Sequence, residues 1–260
     1  MKPNVVPDRP ESETSPDNLT TAPTSKKGSR IISRVLSPAL QLWLRSQAEQ
    51  IQDLQLDIAA GDRQILSGLI PHVTVKASKA IYQGLHLSQI NLEADTIHTN
   101  LPQILRRKPL RLLSPIQAKG QICITARELA DSLFPESLLW QGLTDFLREL
   151  IKATGADPEP LLSGRTLQWQ AIALERDRVT ITGMLSDADN PGMVLSIDTG
   201  VEAVDGSCLR LAPLTIQAPE TLGLKSLDKF EVDLGNETTI STLEITPEGL
   251  FCVGAIAILP

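Results

Sequence analysis

The sequence predicts an α+β fold in which an extended, curved, mainly antiparallel sheet packs around or against two or three amphipathic helices. Three observations carry that prediction. Apolar residues recur at helical spacing in two separated stretches, and they alternate with polar residues over most of the remainder. The order helix, strands, helices, strands also lacks the regular βαβ alternation that builds a parallel sheet.

The first helical stretch follows a tail. Residues 1–29 hold Pro3, Pro7, Pro10, Pro16 and Pro23 among many Ser and Thr and almost no large apolar residue, so burial cannot offset the entropy of ordering them. They are expected to be disordered, with one elongated domain over residues 30–260. From Arg30 the composition changes. Ile31, Val35, Leu36, Leu40, Trp43, Leu44 and Ile51 form an apolar stripe opposite Arg30, Arg34 and Arg45, which predicts a basic amphipathic helix over residues 30–51. Ser37 and Pro38 place a kink or a cap within it.

Beyond that helix the period falls to two. Leu54, Leu56 and Ile58 alternate with polar residues, Gly61-Asp62 reads as a turn, and Val73, Val75 and Ala77 resume the alternation. A hairpin turn is expected at Tyr82–Leu85, then a strand to about Thr99 whose alternation slips between Leu87 and Ile90, as at a bulge. Residues 116–124 read as another strand. Thr125 and Glu128 have the spacing of a capping box that opens a helix. Leu139, Leu143, Phe146, Leu147 and Leu150 then fall on one stripe of a helix over residues 137–153, opposite Gln141, Asp145, Arg148 and Lys152. From residue 165 alternation returns and predicts strands nearly to the C-terminus.

Composition narrows the function. The 260 residues are 42% hydrophobic but only 3% aromatic, so the interior is aliphatic. A net charge of −7 disfavours nucleic acid as a partner and requires any contact with an anionic surface to be local. Cys123, Cys208 and Cys252 lie far apart in apolar runs, as buried thiols of a reducing compartment do. No signal peptide and no run of about 18 apolar residues is seen, so a cytoplasmic protein, free or peripheral to a membrane, is expected.

Catalytic signatures were sought by the chemistry they need. His72, His86 and His98 sit at intervals of 14 and 12 residues without metal-ligand spacing or a nucleophile motif, and they receive no role. The carboxylates of Ser186–Gly192 lack the later glutamate of a calcium loop and read as a hairpin turn. Phosphate-cradling, dinucleotide, zincin and nucleophile-elbow motifs do not occur. The chain is therefore read as a non-enzyme with no cofactor or metal.

Two features point to lipid. Arg106, Arg107, Lys108 and Arg111 stand among Ile104, Leu105, Leu110, Leu112 and Leu113, a mixture of cations and aliphatics suited to an anionic headgroup or a membrane interface, and equally a solvated loop pinned by its leucines. The two apolar helix stripes supply candidate linings for a lipid cavity: Leu40, Trp43 and Leu44 from the first, Leu139, Leu143, Phe146, Leu147 and Leu150 from the second. The segments Gly61–Pro71, Ile81–Ser88 and Lys108–Leu113 resemble the LmeA-like phospholipid-binding family, over a range from about Ile31 to the C-terminus. The resemblance implies phospholipid binding in an elongated body similar to tubular lipid-binding folds. It implies no catalytic residues. Transfer or sensing of phospholipid near a membrane surface is the leading expectation. A scaffold that offers strand edges to a protein partner is the alternative, and a motif-free hydrolase of lipid-like substrates comes third.

Overall fold

A computed structural model describes residues 40–42, 44–104, 111–187, 192–218 and 224–260. Of these, 57% are strand and 20% helix, so the α+β body is dominated by sheet. The tail at 1–29, the Ser37-Pro38 pair and Arg106–Lys108 lie outside the described residues.

The chain begins with helical residues 40–42 and 44–46 (α1) and continues through β1 (Gln50–Ala59), α2 (Asp62–Leu66), β2 (Leu69–Tyr82), β3 (Leu85–His98), α3 (Leu101–Ile104) and β4 (Ile116–Thr125). Three helices follow, α4 (Ala126–Asp131), α5 (Leu138–Ala153) and α6 (Pro158–Leu162). Then come β5 (Thr166–Glu175), β6 (Arg178–Ser186), β7 (Met193–Val204), β8 (Cys208–Gln217), β9 (Phe230–Asp233), β10 (Thr238–Thr246) and β11 (Gly249–Ile258).

These strands form two antiparallel sheets. Sheet 1 has the order β1-β2-β3-β4-β11-β10 and sheet 2 the order β5-β6-β7-β8-β9. The C-terminal hairpin returns to pair β11 with β4, from Gly249 opposite Thr125 to Ile258 opposite Ile116, so sheet 2 and its helices form an excursion within the chain of sheet 1.

Several expectations are corrected. The helix predicted over 30–51 ends at residue 46, and Ile51 belongs to β1, where Gln50 lies opposite Ile81 on β2. Helical spacing of apolar residues here coexists with a neighbouring strand edge, and the cross-strand ladder wins. Gly61-Asp62 is the start of the short helix α2 rather than a simple turn, with Gln64 Oε1 accepting from the Gly61 N–H at 3.0 Å. No bulge interrupts β3. The β2–β3 register is unbroken, with Ala77 opposite Ile90 and Ala80 opposite Leu87. The apolar residues change faces on both strands at once, because the near end of β3 turns its other face to α4, where Ser132 Oγ accepts from the His86 N–H at 2.9 Å.

The Tyr82–Leu85 turn is a two-residue hairpin, with Gln83 at φ 47° and Gly84 at φ 72°, the positive pair that matches the strands' twist. The capping box forms as its spacing predicts: Thr125 Oγ1 accepts from the Glu128 N–H at 3.2 Å, while Glu128 Oε2 accepts from the Thr125 N–H at 2.9 Å.

Sheet 2 is closed by α5. Leu147, Leu150 and Ile151 pack on Trp169, Leu195, Ile197 and Leu214, all 4% exposed or less. Trp169 Nε1 donates to Thr144 Oγ1 at 3.2 Å, and that hydroxyl donates to the Trp140 carbonyl at 2.8 Å, so the indole N–H is satisfied inside the core. A smaller cluster of Leu129, Leu174 and Ile245 joins the sheets, together with the Asp177 N–H donating to the Ile245 carbonyl at 3.1 Å.

Candidate functional site

Sheet 1 is two-faced. Strand alternation puts Ile116, Ala118, Gly120, Ile122 and Ile124 of β4 on one side and Gln117, Lys119, Gln121, Cys123 and Thr125 on the other. Pairing extends the apolar side across the neighbours: Ala118 lies between Ala94 and Ile256, and Ile122 between Ile90 and Cys252. The opposite side carries Thr74, Lys76, Asn91 and Glu93.

Two glycines paired across β4 and β11 let neighbouring strands of sheet 1 approach closely. A Cβ on Gly120 would stand 1.9 Å from the Asn91 carbonyl oxygen, and one on Gly254, its partner across β4 and β11, 2.2 Å from that of Thr239. Only residues without a side chain permit this approach of neighbouring backbones.

At one end of the apolar face α1 leaves a cavity of about 180 Å³. Leu40 and Leu44 form its roof. Its floor is Leu56 of β1, Ile70, Val73 and Val75 of β2, Leu92, Ala94 and Ile97 of β3, and Ile116 and Ala118 of β4, and its side is closed by Leu112 and Ile258. Thr99 also lines it, but its hydroxyl is spent on the Gly68 carbonyl at 3.2 Å. Glu93 also lines it, but strand alternation turns its side chain to the opposite face of β3, level with Thr74 and Lys119. Such a lining favours an apolar guest over water.

The loop beside the cavity is pinned by backbone. The Arg111 N–H donates to Asn100 Oδ1 at 2.7 Å, the Asn100 N–H to the Arg111 carbonyl at 3.2 Å, and the Leu113 N–H to the His98 carbonyl at 2.8 Å. Leu112 is thereby held in the wall while the Arg111 side chain is exposed at its rim.

The sequence-derived candidates thus separate. Leu40 and Leu44 reach the cavity, and Arg111 stands beside it; Trp43, Arg106, Arg107 and Lys108 lie outside the described residues. The five residues of α5 do not line this cavity. Leu147 and Leu150 are wholly buried against sheet 2, Leu143 and Phe146 pack on the same core, and Leu139 packs on the cluster joining the sheets. The residues of β2, β3 and β4 that make the floor were read only as strand, because alternation reveals a buried face and not whether the opposing layer fills it.

Titratable groups supply little chemistry here. The three cysteines are free and half-buried, and burial pushes the Cys252 thiol above its ordinary pKa, away from the reactive thiolate. His72 Nδ1 lies 2.7 Å from Asp95 Oδ1 on the polar side of sheet 1, across β2 and β3. Asp187 pairs with Arg165 at 3.2 Å in the turn after β6. Among the described residues no group of three or more His, Cys, Asp or Glu could hold a metal ion, and no helix is long and apolar enough to cross a membrane.

Comparison with protein families matches residues 27–255 to the family described as LmeA-like phospholipid-binding. Comparison with curated proteins and with solved structures gives no match.

Proposed function

Because this chain belongs to the LmeA-like phospholipid-binding family, we propose that it binds a phospholipid by taking an acyl chain into the cavity between α1 and the apolar face of sheet 1. The observation that carries this reading is the lining: aliphatic apart from Thr99, whose hydroxyl is already bonded, and Glu93, whose side chain belongs to the opposite face of β3, with an exposed arginine next in sequence to the lining residue Leu112. Hydrocarbon gains dispersion contacts there that water cannot supply. The apolar side of β4 continues past the cavity, and the seven residues from Ile116 to Ile122 span about 20 Å, more than the roughly 15 Å depth of one leaflet's hydrocarbon. One acyl chain therefore has a surface to lie on from end to end.

Arg111, exposed beside the lining residue Leu112, is the proposed phosphate contact of such a lipid, and Arg106, Arg107 and Lys108, three to five residues before it in sequence, are its candidate companions. Binding without chemistry is the role this supports, with transfer or sensing near a membrane as its use. Native mass spectrometry of the purified full chain tests it. Co-purified phospholipid, lost when Ala94→Phe fills the floor, is the expected result. A protein that carries no lipid and exchanges none with vesicles sinks the reading.

A further inference from the structure

We infer that the end of sheet 1 at which the cavity lies is a membrane-docking surface, and that the protein enters the interface of an anionic bilayer with this end first. The inference rests on the lipid-binding reading for its purpose, but on different residues for its evidence. Ten large hydrophobic side chains are exposed among the described residues; of these Ile258 lines the cavity, Ile256 lies opposite the lining residue Ala118, Leu113 and Leu259 are next in sequence to the lining residues Leu112 and Ile258, Leu42 lies between the lining residues Leu40 and Leu44, and Leu66 follows Ile65 of the same core cluster. Topology brings them together. β1 and β3 end here, β2 and β4 begin here and β11 ends here, so Leu66, Leu113 and Leu259 belong to connections or strand ends at one edge of the sheet. Leu42 is 71% exposed on α1, whose Leu40 and Leu44 face the cavity, and Leu113 is 61% exposed next to the wall residue Leu112.

Exposed aliphatics gathered in one place mark an interaction surface, and the surrounding charge selects the partner. Arg63 and Arg111 are exposed in connections at the same end and Arg45 is exposed next in sequence to the lining residue Leu44, and none of the three forms an ion pair among the described residues, in a chain whose net charge is −7. Leucines to enter the acyl boundary beside arginines to meet phosphates are the composition of an interfacial anchor. Continuity with the cavity favours a bilayer over a protein partner. A mouth seated in the interface lets an acyl chain pass between membrane and cavity without crossing water.

The test is flotation of the full chain with vesicles of phosphatidylcholine and phosphatidylglycerol. The Leu42→Glu/Leu113→Glu variant is expected to lower the vesicle partition coefficient about tenfold or more. Val194→Glu, which alters an equally exposed side chain on sheet 2, is expected to leave it within about twofold. Arg45→Gln/Arg111→Gln should lower it about fivefold per charge at low salt and have no effect on vesicles of phosphatidylcholine alone. The inference is overturned if the wild-type chain ignores the vesicles, if the double glutamate variant binds them unchanged, if Val194→Glu is equally impaired, or if the leucine substitutions dissociate a dimer and alter nothing else. A chain that holds lipid by native mass spectrometry yet ignores vesicles fails the docking inference alone. One that docks but never holds lipid fails the cavity reading alone.

Discussion

The two sheets solve the same problem in opposite ways. Each is antiparallel with one aliphatic face, sheet 2 as a simple meander and sheet 1 completed by the returning C-terminal hairpin, and each lays a helix across that face. On sheet 2 the 16 residues of α5 present a stripe that meshes with β5–β8 and leaves Leu147, Leu150, Leu195 and Ile197 with at most traces of exposed surface. On sheet 1 the described part of α1 covers only one end of the face, and its two leucines roof a void. Close packing is the normal state of an interior. A pocket on one sheet beside a buried helix interface on the other makes the two layers separately testable.

The largest test of the contrast removes volume from the packed side. Leu150→Ala is expected to cost 2–5 kcal/mol, about the range for a buried leucine in a core that cannot collapse. Urea denaturation measures it, and lipid retention by the folded fraction should be unchanged. A loss of bound lipid at unchanged fold would mean that α5 serves the cavity after all.

Next comes the close approach of β3 and β4. Gly120→Val would drive a side chain into the Asn91 carbonyl, and strands forced apart at that point cost about 1–3 kcal/mol. Here stability and lipid retention should fall together, unlike the α5 variant. Retained lipid with lowered stability would detach this approach from the site.

Adding volume inside the cavity should do the reverse. Ala118→Leu extends a side chain into empty space, so the overpacking penalty of a filled core does not apply, and the denaturation midpoint is expected to stay within about 1 kcal/mol of wild type or to rise. Co-purified lipid should drop. A destabilisation of 2 kcal/mol or more would show that the floor is already full.

The sequence made one side of this contrast readable and hid the other. The α5 stripe, the strands from Leu85 to His98 and from Ile116 to Thr125, the hairpin at Gln83-Gly84 and the capping box at Thr125 are local patterns, and each stands where spacing places it. The return of β11 to β4 joins residues more than 120 positions apart, and no local pattern encodes it. The cavity depends on that return, since Ile258 closes its side. Leu40 and Leu44 were legible as apolar helix positions, as Leu147 and Leu150 were. Which pair faces a void depends on what the opposite layer supplies, a property of the assembled sheets.

The smallest expected effect concerns the joint between the sheets, at the start of α4. Partial burial raises the pKa of the Glu128 carboxyl, but hydrogen bonds from the Ser88 hydroxyl and from the Thr125 N–H and hydroxyl, with the charge of His86, outweigh it and hold the group below its ordinary value of 4.5. A carboxyl whose folded pKa is depressed contributes stability that is complete above the unfolded value and is lost as pH falls through the folded one. Stability from this residue should therefore be flat from neutrality down to about pH 5 and decline below it. Glu128→Gln removes the titration while leaving an acceptor for the Thr125 N–H, so its denaturation midpoint should be lower at pH 7 and should converge on wild type as the pH drops below 4.5. The carboxyl is largely solvated, which keeps the difference small. Parallel curves across that range would mean that the box acts by geometry alone. Because α4 touches β3, β4 and β11 of sheet 1 and β5 of sheet 2, a convergent pair of curves would place a proton-sensitive contact at a helix shared by the packed layer and the hollow one.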